Sequence, residues 1–188
     1  MSTPLPGREV AITPDTSPSE ITAILLDRPR HAAAIAAIRK LGAAVSLISD
    51  GDVAGVIHCA EPKTGIDIYL GIGGAPEGVL AAAALRCIGG QMQGRLLFRN
   101  DDERERARKI GVKDLNRKYS MLDLAHGDVM FAATGVTDGT MLKGVRYTAA
   151  GAETSSIVMR SRSGTIRYLS TRHHFEEHPI YDRGGKLR

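Results

Sequence analysis

Over its first half the chain alternates between short apolar runs and Ala-rich stretches of helical period. Residues 21–26 (ITAILL), 44–48 (AVSLI) and 66–72 (IDIYLGI) have strand length and carry a single charge among them. Each run leads into a polar or glycine-rich turn and then a helical stretch, at residues 31–41, 53–59 and about 79–88. Strand, loop and helix repeated three times predict a parallel sheet with right-handed crossovers. The expected fold class is α/β, with parallel strands, flanking helices and a C-terminal strand and hairpin region. Every polar turn then falls where a strand hands over to a helix, the edge at which open α/β sheets bind ligands.

Beyond Gly89 and Gly90 the pattern changes. Residues 101–110 read as a charged helix of mixed sign with a solvated face. Residues 129–133 and 144–148 read as strands, with a turn at 135–139 (GVTDG). Residues 154–160 and 165–169 flank SRSG, a hairpin connection. Pro4, Pro6, Pro14 and Pro18 make residues 1–19 a loose lead-in. Residues 20–170 form the expected domain. The polar segment 171–188, with His173, His174 and His178, is expected to trail on the surface.

Composition supports this picture. Twenty-one Gly, three Phe and no Trp indicate tight turns and a core of Ala, Val, Ile and Leu, which suits parallel strands under helices. A length of 188 residues is enough for one core. The net charge of +4 could attract anions. Its basic residues are dispersed and aromatics are scarce, so nucleic acid is not an expected partner. Cys59 and Cys87 lie in apolar surroundings without CxxC spacing, as buried free thiols do. No apolar run has bilayer length, so no membrane association is expected, and the N-terminus lacks the pattern of a signal peptide. A cytoplasmic location is expected.

Three turns carry candidate chemistry. GIGGAPEG (71–78) combines glycines, which let backbone N–H groups approach a phosphate, with Pro76 at the expected helix start and Glu77 in the first turn. Such a carboxylate can hold Mg²⁺ or Mn²⁺ while the amides hold phosphate oxygens. On spacing alone, a glycine-rich turn in which Glu77 favours the helix start explains it as well. SDGD (49–52) places Asp50 and Asp52 around Gly51, able to accept from sugar hydroxyls or bind a cation. An Asx-turn with Asp52 capping the next helix is the alternative. DRPRH (27–31) sets Arg28 and Arg30 around Pro29, suited to phosphate, though surface arginines on a turn would look the same. His31 reads as a helix-start residue. Three such turns on one sheet edge are the equipment for a phosphorylated sugar.

At these residues a resemblance enters. LDRPRH (26–31), SDGDVA (49–54) and GIGGAPEGV (71–79) resemble the class II fructose-1,6-bisphosphatases, as do MQGRLL (92–97), GDVMFAATGVTDG (127–139) and MRSRSGTIR (159–167). The matches run in order from about residue 20 to 170. The resemblance implies the C-terminal portion of a layered α/β sugar-phosphatase fold. It also implies Mn²⁺- or Mg²⁺-dependent hydrolysis of the 1-phosphate of fructose 1,6-bisphosphate, with sedoheptulose 1,7-bisphosphate a substrate of some relatives. Carried over by residue, Arg28, Pro29 and Arg30 bind the non-reacting phosphate. Asp50, Gly51 and Asp52 contact the sugar, Gly74 lies beside the substrate, and Glu77 is a metal ligand. No residue receives a catalytic role. Asp138 and Arg162 sit in family motifs but read as turn residues. Family members carry a further half ahead of LDRPRH that supplies most metal carboxylates. The chain alone is therefore expected to bind substrate weakly and hydrolyse it slowly or not at all. It is also expected to form homo-oligomers or to need a separate N-terminal half. A non-catalytic sugar-phosphate-binding module, or a truncated product without independent function, stays open.

Overall fold

The structure, a computed structural model, describes residues 17–175. Strand β1 (Thr22–Leu26) lies at the centre of a three-stranded parallel sheet, between β2 (Ala44–Ile48) and β3 (Ile68–Tyr69). Ala23, Ile24, Leu25 and Leu26 are each no more than 3 % exposed. Burial on both faces is why β1 is a continuous apolar run instead of an alternating one. Helix α1 (Ala32–Lys40) places Ala34, Ile35 and Ile38 against Ala23 and Leu25 on one face. Helix α2 (Asp52–Cys59) lies on the other face, where its Gly55 meets Ile48 and the Tyr69 ring. Strand order β2-β1-β3 reverses direction at β1, so the ligand-binding crevice of such a sheet falls at the C-terminal ends of β1 and β3.

Helix α3 (Ala75–Ile88) runs beside α2. Its buried Ala81, Ala82, Ala84, Leu85 and Cys87 form a small-residue face that permits close packing on two sides. One side joins Val56 of α2. The other joins an antiparallel sheet of β6 (Met130–Thr134), β7 (Arg146–Thr148), β8 (Gly151–Arg160) and β9 (Thr165–His174), where Phe131, Ile157 and Met159 close the core. The layers are thus helix, parallel sheet, helices, antiparallel sheet. Helix α4 (Asp101–Lys109), the short pair β4 (Gln93–Gly94) and β5 (Tyr119–Ser120), and the single turn α5 (Met121–Leu124) complete the described residues.

Several expectations need correction. The run at 66–72 yields a strand of two residues, because the chain leaves the sheet at its glycines. Backbone bonds from Asp67 N to Thr22 O (3.0 Å) and Leu70 N to Ile24 O (3.1 Å) still hold its ends to β1. The hairpin is longer than polarity suggests. Strand β9 continues to His174 in register with β8, so residues 171–174 are strand, not trailing tail. Strand β8 likewise starts three residues before the expected 154. The lead-in at 1–16 and the tail from 176, including His178, lie outside the described residues.

Candidate functional site

The three candidate turns leave the C-terminal ends of adjacent parallel strands and are tied to one another by named bonds. In the turn after β1, Arg28 Nη2 donates to Ser49 O at 2.6 Å and Nη1 to Asp27 O at 3.0 Å. This joins the first turn to the second. Arg30 Nε donates to Ile72 O at 2.7 Å, joining the first turn to the third. His31 bridges the same pair: its Nδ1 is 2.9 Å from Leu26 O, and Ile72 N donates to its Nε2 at 2.9 Å. The second and third turns meet where Asp52 Oδ2 stands 2.9 Å from the place a Cβ on Gly73 would occupy. Pro29 starts the 3-10 turn Pro29–His31 that aims Arg30 and His31 toward the third turn.

Gly51 adopts φ +83°, the left-handed region that glycine enters without a Cβ penalty, and it is the residue before α2. Asp52 is the first helical residue and makes no side-chain cap bond, so the capping alternative does not hold. In the third turn Ala75, not Pro76, takes the first helical position; Pro76 follows it. Glu77 folds back over Gly74 until its carboxylate occupies the place of a Gly74 Cβ. Among the described residues, no hydrogen bond or ion pair engages the carboxylates of Asp50, Asp52 or Glu77, and Arg28 and Arg30 have no ion-pair partner. Two cations and three carboxylates therefore share one sheet edge without neutralising one another.

Tyr69 was not singled out by the sequence and belongs to this edge. Its ring fills a slot between Gly55 and Gly71; a Cβ on Gly71 would stand 2.7 Å from the hydroxyl. Burial, and then the Asp52 carboxylate, push its phenol up to about 12, with Arg30 opposing. The signal in the sequence is weak: one tyrosine at the end of an apolar run, just before a GxGG turn. His31 stands at the start of α1, as expected. It is 1 % exposed and is the one buried polar side chain among the described residues.

The sheet edge offers donors suited to a divalent cation but does not enclose one among the described residues. The donors are hard carboxylate oxygens, as Mg²⁺ or Mn²⁺ prefers. Among the described residues, however, no three His, Cys, Asp or Glu side chains stand close enough to enclose a metal. Glu77 alone does not make such a cage. The thiols offer no activated nucleophile: burial raises Cys59 to about 12, with Asp67 adding to it, and burial also pushes Cys87 up. Asp138 accepts from Gly144 N at 2.9 Å, as a turn residue does. Arg162 stands 3.9 Å from Asp128 in an exposed pair. A cavity of about 190 Å³ lined by Ile57, His58, Glu61 and Tyr168 opens at the far end of α2. Its lining begins at Ile57, about 8 Å from the second turn by helix rise, and it does not involve the three turns. No helix among the described residues is long and apolar enough to cross a membrane.

Known proteins match the amino-acid sequence over most of its length. Residues 7–173 match the family model described as bacterial fructose-1,6-bisphosphatase, glpX-encoded. A protein of Trichodesmium erythraeum (strain IMS101) named D-fructose 1,6-bisphosphatase class 2/sedoheptulose 1,7-bisphosphatase is 42 % identical over 176 residues, 87 % of this chain and 51 % of the relative. One of the same name from Crocosphaera subtropica is 43 % identical over 175 residues, 86 % of this chain and 50 % of its own length. The chain spans about half the length of the curated relatives it matches. With the family model covering both the three turns and the antiparallel sheet, the chain belongs to the bacterial, glpX-encoded fructose-1,6-bisphosphatase family.

Proposed function

We propose that the chain binds a sugar bisphosphate across the three turns. In this reading it supplies the substrate-holding part of a phosphatase that removes the 1-phosphate of fructose 1,6-bisphosphate, with sedoheptulose 1,7-bisphosphate as a further substrate. One observation carries the reading: unpaired cations, unpaired carboxylates and a glycine-rich helix start are tied into a single edge. Each guanidinium has five N–H donors. Arg28 and Arg30 therefore keep several for a phosphate after bonding the backbone carbonyls, and those bonds hold them in place. Asp50 and Asp52 accept from sugar hydroxyls. Amides at the start of α3, at the positive end of its dipole, receive phosphate oxygens beside Gly74. Glu77 lends one ligand to Mn²⁺ or Mg²⁺, which supplies charge neutralisation and activation of water when bound. One carboxylate is too few to hold that cation firmly, so the hydrolytic step is not assigned to the described residues. The chemistry is that of a cytoplasmic metabolite.

The absence of a metal-enclosing cluster among the described residues favours a second reading. The chain is then a non-catalytic sugar-phosphate-binding module, or a half-enzyme completed by a separate N-terminal partner. Calorimetric titration of the purified chain with fructose 1,6-bisphosphate, with and without Mn²⁺, tests the shared premise. Binding that weakens in Arg30→Ala is expected, and no heat with either condition removes the sugar-phosphate assignment. A phosphate-release assay tests the premise, common to both readings, that the chain does not hydrolyse the ligand by itself. Little or no turnover is expected, and a robust metal-dependent rate that survives Glu77→Ala would refute the assignment of Glu77.

A further inference from the structure

We propose that His31 is a positioning residue for the ligand site: its imidazole sets where the glycine-rich turn sits relative to the arginine turn, and through that the affinity for the phosphorylated ligand. The inference rests on the sugar-phosphate reading above and adds a residue that contacts no ligand. Its basis is a clamp on a single residue. Adjacent side chains Arg30 and His31 engage both backbone groups of Ile72, the carbonyl at 2.7 Å and the N–H at 2.9 Å. Because a backbone N–H can only donate, His31 Nε2 must accept. The ring proton is therefore on Nδ1, which donates to Leu26 O at 2.9 Å. Both ring nitrogens are satisfied, as a side chain 1 % exposed requires.

The clamp acts where packing cannot. Ile72 is 39 % exposed, so burial does not locate this turn. Strand pairing ends at Tyr69, and the last backbone bond to β1 is from Leu70. Past that point the chain is held by His31 and Arg30 for the run into Gly74 and Glu77. The imidazole thus links the last residue of β1 to the turn that carries the proposed phosphate amides.

Two substitutions divide the roles of the ring. His31→Gln can present an amide oxygen near Nε2 and keep an acceptor for Ile72. His31→Asn keeps a donor near Nδ1 and leaves the Ile72 N–H without an acceptor. Amide hydrogen exchange reads the clamp without any ligand. Ile72 should be protected in the wild-type chain and in His31→Gln, and exchange about tenfold faster or more in His31→Asn. In calorimetry, His31→Asn should bind fructose 1,6-bisphosphate about tenfold more weakly, with His31→Gln within about threefold of wild type. Wild-type exchange at Ile72 as fast as an open loop overturns the inference, and it does so even if His31→Asn fails to fold. So does wild-type binding that His31→Asn leaves unchanged, or an equal loss in both variants, the mark of a merely structural histidine. No binding by the wild-type chain is a separate result: it removes the sugar-phosphate reading and the inference that rests on it.

Discussion

Gly74 has extended backbone angles, φ −70° and ψ 150°, that alanine also adopts. Its constraint is spatial, since a Cβ there would overlap the Glu77 carboxylate. That neighbour is the far end of a flexible side chain, so Gly74→Ala should displace Glu77 and leave the fold intact. The expected cost is about 1 kcal/mol or less at this helix-capping position, read as a small shift in a urea transition. If Glu77 and the amides of α3 act as proposed, ligand and Mn²⁺ binding should fall together in calorimetry, because the carboxylate is moved away from those amides. A variant that binds both as wild type would show that Glu77 has no ligand role. Tyr69 sits in the opposite situation. Its ring is held between Gly55 and Gly71, and enlarging either glycine pushes on a rigid ring instead of a mobile chain end.

At the scale of elements, α4 contrasts with α2 and α3, which are placed by their buried faces. Only Ala107 of α4 is buried. The helix is held by local devices. Asn100 Oδ1 accepts from Glu103 N at 2.9 Å, acidic residues fill its first turn and basic residues its last, and Glu103 pairs with Arg99 at 2.7 Å. The Arg99 backbone N–H and then its guanidinium hold the Glu103 carboxyl below the usual range. That help is complete above the ordinary glutamate pKa and is lost as pH falls through the lowered value. Asn100→Ala should cost α4 about 1 kcal/mol. The readout is roughly fivefold faster amide exchange within α4, with sugar-phosphate binding unchanged. Equal protection in the variant would mean that tertiary contacts, not the cap, hold this helix.

For the whole molecule the layered order leaves strand edges open. Among the described residues, β2 and β3 each pair with β1 alone, and β9 with β8 alone. Strand β9 carries Arg167 and Arg172, charges that discourage pairing with a second copy. Strand β2 (AVSLI) has no charge and no proline, and its Leu47 is 39 % exposed. Self-association of two copies along β2 is the expected consequence. Light scattering at micromolar concentration should give a mass above one chain for the wild type and one chain for Leu47→Lys. A single-chain mass for the wild type would rule it out.

The sequence by itself determined the three strand-turn-helix units and which turns share an edge. Each unit's apolar run and Ala-rich stretch are local patterns, and parallel crossovers put all the turns at one end. It could not show what joins those turns. The bonds by which Arg28, Arg30 and His31 join one turn to another go to backbone groups 21 to 42 residues away, and a backbone group leaves no mark in composition. For the same reason the sequence places His31 at a helix start, where it is found, but does not show its burial or its bond to Ile72. The lengths of β3 and β9 were also decided by tertiary structure. The clamp on Ile72 and the glycines around it take an apolar run out of the sheet, while pairing with β8 brings the polar stretch STRHH into one. Hydrophobicity reports which residues seek the core, whereas strand length depends on which neighbour offers backbone bonds.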